Sequence, residues 1–353
     1  MRIDLFCQVI DNYGDIGVCW RLARQLVAEH RAKVRLIVDD LRACNVIAPE
    51  IDPGLAQQPL QGVQVVAWNV AEALTPCEIV IEAFACNPHA RYIEAMASLR
   101  PKPVWINLEY LSAEAWVDDV HGMASQHQRL PLTKYFFCPG FTEASGGLLR
   151  EPDVGATCRD QSLLQLAREP LSALRILAFA YPHAPVHALA HAFATAGLPT
   201  TVTLAAPLNQ SAPHWHTAPP VPQTEFDALL AQFDFLIVRG EDSFARAQWA
   251  ARPFLWHIYP TDDGAHLLKL DAWLDRYCIG LDANVSAAYR AASHAFNAAA
   301  GDGAQSAPYE LLAKKIGALA AHAVRWRNLL MRQTDLATRL VDFVATHKAK
   351  NLG

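Results

Sequence analysis

The sequence lacks the features that mark several common classes of protein. No two of its eight cysteines form a C-x-x-C pair, which argues against a zinc or disulfide framework. No apolar stretch approaches the ~20 residues that span a bilayer, and Asp4 interrupts the first apolar run, which argues against a signal peptide. The net charge of −5 leaves no electrostatic footprint for nucleic acid. We therefore expect a cytoplasmic protein that binds neither nucleic acid nor a membrane.

Three signatures of nucleophilic or nucleotide chemistry are also missing. The chain has no G-x-S-x-G turn, no P-loop and, after its first strand, no G-x-G-x-x-G. These absences argue against a serine hydrolase, a P-loop NTPase and a standard dinucleotide dehydrogenase. What is present is a chain of 353 residues, 52% hydrophobic and 18% charged, which is enough for two domains with large cores.

Apolar, β-branched runs alternate with helical segments, and this alternation predicts α/β domains with parallel sheets. In the first half, strands are predicted at 3–10, 33–39, 63–68, 77–84 and 103–110, with helices at 18–28, 41–48 and 88–99. The second half restarts the pattern, with strands at 174–181, 200–204, 233–238 and 253–259 and helices at 186–196, 224–232 and 244–250.

The remaining segments set the predicted domain boundaries. The double glycine at 146 and 147 predicts a loop between the lobes, and the polar stretch 151–170 a crossing that becomes helical before Pro170. The Pro-rich stretch 211–222 is predicted to be a loop, and the Ala-rich stretch 276–353 to be helical. We place a Rossmann-like N-terminal domain at 1–160, a Rossmann-like C-terminal domain at 161–330, and at 331–353 a helix that is expected to cross back to the first domain.

The first informative turn combines glycines with two carboxylates. Asp11-Asn12-Tyr13-Gly14-Asp15-Ile16-Gly17 separates the first strand from the first helix, and Gly14 and Gly17 allow a tight bend that brings the backbone close to a ligand. Amides at the start of a helix usually bind an anion, but Asp11 and Asp15 would repel one. The turn is therefore predicted to face a cation or a proton to be removed. The structural alternative is that Asp15 caps the helix and Asp11 starts the turn.

A second turn, Arg239-Gly240-Glu241-Asp242-Ser243, leads from a predicted strand into a helix. Amides and a hydroxyl at the positive end of a helix suit a diphosphate, and Glu241 could accept hydrogen bonds from a sugar or ribose hydroxyl. An ordinary helix capped by Asp242 or Ser243 is the structural alternative.

The histidines are weaker candidates for functional residues than the two turns. His183, His187 and His191 are spaced four residues apart, as on a metal-binding face, but no carboxylate stands at H-E-x-x-H spacing, which favours a solvated helix face. His257 and His266 flank the end of a predicted strand. Each is a candidate base or phosphate ligand, or else a structural hydrogen-bonding group.

Five motifs occur in order along the chain, at residues 11–18, 105–112, 179–181, 239–244 and 256–260. Together they resemble the bacterial elongation factor P arginine rhamnosyltransferases, the EarP family. The resemblance implies a GT-B glycosyltransferase fold, with two Rossmann-like α/β domains facing a central cleft. It also implies an inverting transfer of L-rhamnose from dTDP-β-L-rhamnose to an arginine side chain of elongation factor P, with no metal and no cofactor.

The resemblance also implies roles for single residues. Asp15 matches the general base, Asp11 the carboxylate that assists it, and Glu241 a residue needed for activity. Pro220 stands where an aromatic residue is expected, so the surface that stacks on the nucleobase is expected to be completed differently. The donor is expected to lie mainly on the C-terminal domain. Gln223 and Phe226 are expected near its thymine, and Tyr181, Asp242 and Ser243 at its diphosphate. The other residues expected to bind the donor are Asn12, Tyr13, Gly14, Phe179, Arg239 and Glu241.

These roles agree with the carboxylates of the first turn. A guanidinium has a pKa near ~13, so it must be oriented and lose a proton during its attack on a sugar carbon. Asp11 and Asp15 can hold it through charge-assisted hydrogen bonds, and one of them then takes the proton. Amides at Asp242 and Ser243 would stabilise the leaving diphosphate, and attack from the opposite face gives inversion.

Two other functions remain open from the sequence. One is a GT-B transferase that uses another nucleotide sugar or another acceptor. The other is a non-catalytic module that binds a nucleotide sugar or a translation factor. The pair Asp11 and Asp15 argues against the second, because a pure binder has no need for carboxylates at an anion-type turn.

Overall fold

The computed structural model describes residues 1–10, 13–152, 154, 173–261, 263–298 and 306–351. The chain folds as two compact units, one formed by Met1–Pro152 with Gln333–Gly353 and the other by Asp153–Arg332. The boundaries between the units thus lie after residues 152 and 332, whereas the sequence predicts boundaries after residues 160 and 330. None of the helices in the described ranges is long and apolar enough to cross a membrane.

A mostly parallel sheet forms the centre of the first unit. Its described strands lie in the spatial order β3-β4-β2-β1-β5-β6-β8-β7, and β3 and β7 are antiparallel edge strands. The strands are β1 (Arg2–Cys7), β2 (Lys33–Val38), β3 (Gln57–Leu60), β4 (Val63–Ala67), β5 (Ile79–Ala83), β6 (Val104–Leu108), β7 (Ala124–Gln126) and β8 (Thr133–Phe137). The helices that follow them include α1 (Gly14–His30), α2 (Leu41–Ile47), α3 (Ala90–Ser98) and α4 (Trp116–Val120), with a 3-10 turn at Trp68–Ala73.

Both faces of this sheet are buried, which is why its central strands are continuous apolar runs in the sequence. Along β1, Leu5 packs into one core with α1, whereas Phe6 packs into a second core on the opposite face. The charged side chains inside the sheet are paired: Asp4 has an ion pair with Arg35 at 2.5 Å, and Glu82 one with Lys134 at 2.5 Å. Polar side chains that could bind a ligand are therefore expected at the ends of the strands.

The C-terminal helix (Leu336–Asn351) is part of the core of the first unit. Leu336, Leu340 and Val344 are buried in the same cluster as Trp20 and Leu26 of α1. Hydrophobic burial of this helix against α1 therefore explains why the end of the described chain returns to the first unit.

Side chains of α1 also hold the two segments through which the chain leaves and re-enters this unit. Arg21, which is fully buried, donates two hydrogen bonds to the Glu151 carboxylate, at 2.8 and 2.6 Å. Gln25 donates to the carbonyl of Arg150 at 2.7 Å and to Asp335 at 3.1 Å. Bidentate pairs of this kind fix orientation as well as distance.

The second unit contains a parallel sheet whose described strands lie in the order β11-β10-β9-β12-β13. They are β9 (Leu174–Ala178), β10 (Thr200–Leu204), β11 (His216–Thr217), β12 (Phe235–Arg239) and β13 (Phe254–His257). The described helices are α5 (Val186–Thr195), α6 (Phe226–Leu230), α7 (Asp242–Ala250), α8 (Ala265–Tyr277), α9 (Ala283–Asn297), α10 (Ser306–Ala313) and α11 (Ile316–Leu330), and a 3-10 turn, Gln223–Glu225, precedes α6.

The structure corrects several of the sequence predictions. The first helix begins at Gly14, not Val18, because the glycine-containing turn is already helical. Residues 211–222 include the short strand β11. The double glycine lies inside the first unit, where Gly146 N donates to the carbonyl of Cys138 at 2.7 Å, so it does not form a loop between the lobes. The helix predicted before Pro170 falls outside the described residues.

We predict that removing the Leu340 side chain destabilises the first unit. Leu340→Ala leaves a cavity beside α1 and should lower the free energy of unfolding by about 2–5 kcal/mol. Urea unfolding followed by tryptophan fluorescence measures the loss. Leu55→Ala, at a leucine that is 49% exposed in the same unit, is the control and should change stability by less than about 1 kcal/mol. Equal effects of the two substitutions would contradict the placement of the helix.

Candidate functional site

The first predicted turn lies at the carboxyl end of β1. Asp11 and Asn12 fall outside the described residues. Tyr13 occupies the cap position of α1 without a capping side-chain bond, Gly14 is the first residue of the helix, and Asp15 is the second. The Asp15 side chain is only 2% exposed. A carboxylate is thus buried where helix amides would ordinarily attract an anion.

Both oxygens of the Asp15 carboxylate accept hydrogen bonds. Oδ2 accepts from the backbone N–H of Ile10 at 2.7 Å, and Oδ1 accepts from the hydroxyl of Tyr110 at 3.1 Å. Donors on both oxygens stabilise the ionised form and fix its orientation. The simple capping role considered from the sequence does not describe this side chain, because Tyr13 holds the cap position.

Tyr110 was not assigned a role from the sequence, although it lies in one of the five motifs. It follows β6, and its ring stacks on Phe84, which follows β5, with ring centres 4.1 Å apart and 12° between the planes. Phe84 and Ala85 both have positive φ, 58° and 55°, a conformation that costs free energy in residues other than glycine. The Phe84 N–H donates to the carbonyl of Leu108 at 2.7 Å, which holds this turn in place. The signal that could have identified Tyr110 is its position at a strand end.

In the second unit, Arg239 organises the predicted donor residues. Its guanidinium lies over the ring of Phe179 at 4.6 Å and over the ring of Tyr181 at 5.1 Å, and it donates to the carbonyl of Ala180 at 3.2 Å. Phe179 in turn meets the ring of Phe226 edge-on, with centres 5.5 Å apart. The structure therefore brings four of the predicted donor residues into one cluster at the carboxyl end of β9 and β12.

The turn that follows β12 is closed by Ser243. Its hydroxyl donates to the carbonyl of Arg239 and accepts from the Arg239 N–H at 3.1 Å. Gly240 has φ of 59°, which glycine adopts without strain, and its carbonyl accepts from the Trp256 indole at 2.9 Å. The Ser243 side chain is thus engaged in holding the turn, so the backbone amides at the start of α7 are the groups best placed for a phosphate.

Asp242 links Gln223 to a buried arginine. Gln223 donates to Asp242 at 3.0 Å, Arg246 donates to the same Asp242 oxygen at 3.1 Å, and Arg246 also binds Asp227 at 2.6 Å. Arg246 is 2% exposed, so these carboxylates neutralise a charge that is out of water. The network fixes Gln223, the residue predicted to lie near the thymine, against the first turn of α7.

Glu241, predicted to be needed for activity, occupies the cap position of α7 and is partly buried. Its carbonyl accepts from the Ala245 N–H at 2.9 Å, the ordinary first bond of the helix. The role of its carboxylate stays a prediction.

His257 ends β13 beside Arg239, its register partner on β12. Its Nδ1 accepts from the backbone N–H of Tyr181 at 3.2 Å, and its ring meets the rings of Tyr181 and His183 edge-on at 5.2 Å. Burial, together with the basic neighbours His183, Arg239 and His266, lowers the pKa of His257 to about 3. The imidazole is therefore neutral near pH 7 and carries its hydrogen on Nε2.

The three histidines considered as a metal face do not form one. His183 precedes α5, while His187 and His191 are exposed on it. Across the part of the chain that the structure describes, no group of three or more His, Cys, Asp or Glu side chains is placed to hold a metal ion. That the reaction needs no metal or cofactor stays a prediction.

The structural class of this protein follows from its similarity to solved structures. Solved GT-B glycosyltransferases share the fold: the calicheamicin glycosyltransferase CalG4 aligns with a TM-score of 0.53 at 13% identity, covering 99% of each chain. Two mostly parallel sheets, each with candidate ligand-binding turns at the carboxyl ends of its strands, are typical of this class. The GT-B fold expected from the sequence is confirmed.

Residues 3–345 match the family model described as "Elongation-Factor P (EF-P) rhamnosyltransferase EarP", and the chain belongs to this family. A protein of Pseudomonas putida named protein-arginine rhamnosyltransferase is 42% identical over 371 residues, covering 96% of this chain and 97% of the relative. A solved structure concerned with EarP-mediated arginine glycosylation of translation elongation factor EF-P is 31% identical, with a TM-score of 0.60 and coverage of 98% of this chain and 99% of that one. The predicted enzyme class, a glycosyltransferase of the protein-arginine rhamnosyltransferase type, is confirmed.

The buried imidazole of His257 predicts how stability depends on pH. Its pKa is about 3 in the folded protein and near 6.5 in the unfolded chain, so between these values only the unfolded chain takes up the proton. The free energy of unfolding should therefore fall as the pH drops below 6.5, and His257 should contribute up to about 1.4 kcal/mol per pH unit. His257→Gln removes this contribution. Urea unfolding of both proteins at pH 7.5 and 5.5 measures the difference, and equal pH slopes would contradict a buried, neutral His257.

Proposed function

We propose that this protein transfers L-rhamnose from dTDP-β-L-rhamnose to an arginine side chain of translation elongation factor P, with inversion at the sugar carbon. The family match and the names of its relatives support the acceptor and the sugar. The observation that carries the chemistry is the buried Asp15 carboxylate at the start of α1, which is suited to bind a guanidinium and take its proton.

On the acceptor side, Asp15 acts as the general base. Ile10 and Tyr110 fix the orientation of its oxygens, and a carboxylate held in this way is a suitable partner for the arginine fork. As the arginine nitrogen bonds to C1 of rhamnose, the C1–oxygen bond to the diphosphate breaks and its electron pair leaves with that oxygen. The proton of the attacking nitrogen passes to Asp15. Asp11, the second carboxylate of the turn, is proposed to help bind the guanidinium, as Asn12, Tyr13 and Gly14 are proposed to contact the donor sugar.

On the donor side, the cluster around Arg239 binds dTDP. The guanidinium of Arg239, stacked on Phe179 and Tyr181, supplies positive charge, and the N–H groups of Asp242 and Ser243 at the start of α7 donate hydrogen bonds to the phosphate. These donors are fixed before the reaction, so they stabilise the charge that develops on the leaving diphosphate.

The nucleobase and the sugar have separate proposed contacts. Gln223 and Phe226 lie near the thymine, where Gln223 is fixed by Asp242 and Phe226 packs against Phe179. Glu241 binds a hydroxyl of the rhamnose or the ribose. Pro220 replaces an expected aromatic residue, so Phe226 and Phe179 are left as the apolar surface for the base.

The decisive experiment is intact-mass analysis of elongation factor P incubated with this protein and dTDP-β-L-rhamnose. We expect a gain of one deoxyhexose, localised to an arginine by fragmentation and unchanged when EDTA is present. Transfer only from another nucleotide sugar would replace the proposed donor. Consumption of dTDP-rhamnose without modification of elongation factor P would replace the proposed acceptor, and no consumption at all would support a non-catalytic binding module.

The base assignment is tested by Asp15→Asn. This change keeps the size of the side chain but removes the proton acceptor, so transfer should fall by about 10²–10⁴-fold. The affinity for dTDP should stay at the wild-type value, because the proposed nucleotide contacts lie in the second unit. Asp119→Asn, at an exposed aspartate of α4, is the matched control and should transfer normally.

Tyr110→Phe gives a graded version of the same test. The ring can still stack on Phe84, but the hydrogen bond to Asp15 is lost. We expect a loss of about tenfold in kcat, with dTDP affinity unchanged.

Wild-type rates in Asp15→Asn would show that another group takes the proton.

A further inference from the structure

One buried polar group at the edge of the second sheet has no role in the chemistry described so far. His257 is 3% exposed, and its Nδ1 is occupied by the N–H of Tyr181. Within the described residues, nothing hydrogen-bonds to its Nε2, the nitrogen that carries the hydrogen. The Nε2–H group is therefore available to donate to an acceptor atom of a ligand.

The backbone around His257 is fixed on both sides. The Asn297 side chain at the end of α9 donates to the carbonyl of Trp256 at 2.8 Å and accepts from the N–H of Ile258 at 2.9 Å. The Phe296 ring packs edge-on against the imidazole, with centres 5.4 Å apart. The ring is therefore held in one orientation before any ligand arrives, as a built binding site requires.

The surroundings of His257 indicate the chemistry of that ligand. The side chains that face it in the described structure are Tyr181, His183, Arg239 and Phe296, which are basic or aromatic. The charged or titratable groups that act on it among the described residues are His183, Arg239 and His266, and none of these is a carboxylate. Such surroundings repel a cation and attract an anion. The ligand is thus an anion with acceptor oxygens, and the amides at the start of α7 lie on the neighbouring strand end.

We propose that the Nε2–H of His257 donates a hydrogen bond to a phosphate oxygen of the bound nucleotide diphosphate, as a neutral group beside the positive charge of Arg239. The inference rests on the proposed function, because it takes dTDP as the leaving group. A neutral donor here adds a hydrogen bond without placing a second positive charge against Arg239. Because His257 stays neutral across neutral pH, its contribution to nucleotide affinity does not change with pH in that range.

Two substitutions separate this role from support of the Tyr181 backbone. In His257→Gln the amide NH₂ reaches the position of Nε2, but the acceptor at Nδ1 is lost. In His257→Asn the amide oxygen replaces Nδ1 and still accepts from Tyr181, but nothing reaches the position of Nε2. We expect His257→Asn to weaken dTDP binding about tenfold or more, and His257→Gln to stay within about threefold of wild type.

Isothermal titration with dTDP and with thymidine, which has no phosphate, measures these affinities, and thermal unfolding confirms that both variants are folded. Thymidine should bind all three proteins equally. If the wild type does not bind dTDP, the proposed donor is wrong and the inference falls with it. If the wild type binds dTDP and His257→Asn binds it equally well, or better than His257→Gln does, only the role of Nε2 is wrong.

A spectroscopic readout supplements the affinities. In protein labelled with ¹⁵N-histidine, His257 should show the neutral tautomer with hydrogen on Nε2 at pH 7, assigned by its absence in His257→Gln. Addition of dTDP should shift the Nε2 resonance, whereas thymidine should not. A Nε2 resonance that dTDP leaves unchanged would overturn the proposed contact.

Discussion

Parallel pairing places the carboxyl ends of neighbouring strands at one edge of a sheet, and the proposed chemistry of both units depends on it. In the first sheet, the order β1-β5-β6 brings Asp15, which follows β1, within hydrogen-bond distance of Tyr110, which follows β6. In the second, the order β9-β12-β13 gathers Tyr181, Arg239 and His257. If β6 ran antiparallel to β1, or β12 and β13 antiparallel to β9, the groups that now meet would lie about one strand length, roughly 17 Å, apart.

Side chains of the turn that follows β12 help to stabilise the fold. Arg246 is out of water and is neutralised by Asp227 and Asp242, so the Asp242 carboxylate already has a structural role. Ser243 likewise closes the turn through the backbone of Arg239. These side chains thus fix the geometry of the turn's backbone, which is the proposed binding site for the phosphate.

The sequence was most informative where periodicity is strong. Buried strands such as β12 and β13 have continuous apolar runs, so their position and parallel pairing were predictable. The edge strands β3, β7 and β11 were not, because strands of two to four residues with exposed faces carry little periodic signal. The two candidate functional turns were predictable as turns from their glycines and their position between strand and helix.

The partners of those turns could not be read from the sequence. Tyr110 lies 95 residues from Asp15, and His257 lies 76 residues from Tyr181. Only the order of strands in each sheet brings them together, and local sequence does not encode that order. Likewise, the hydroxyl of Ser243 could be expected to bind a ligand, whereas its engagement with the backbone of Arg239 depends on the exact turn that Gly240 allows.

The return of the C-terminal helix to the first unit has a consequence for biosynthesis. The cluster that contains Trp20 cannot be completed until Leu336 and Leu340 have left the ribosome, after the whole second unit has been made. At about 5–20 residues per second, translation of the intervening segment takes on the order of ten seconds or more. During that time the apolar face of α1 lacks its final cover. The first unit to be synthesised is therefore the last to be finished.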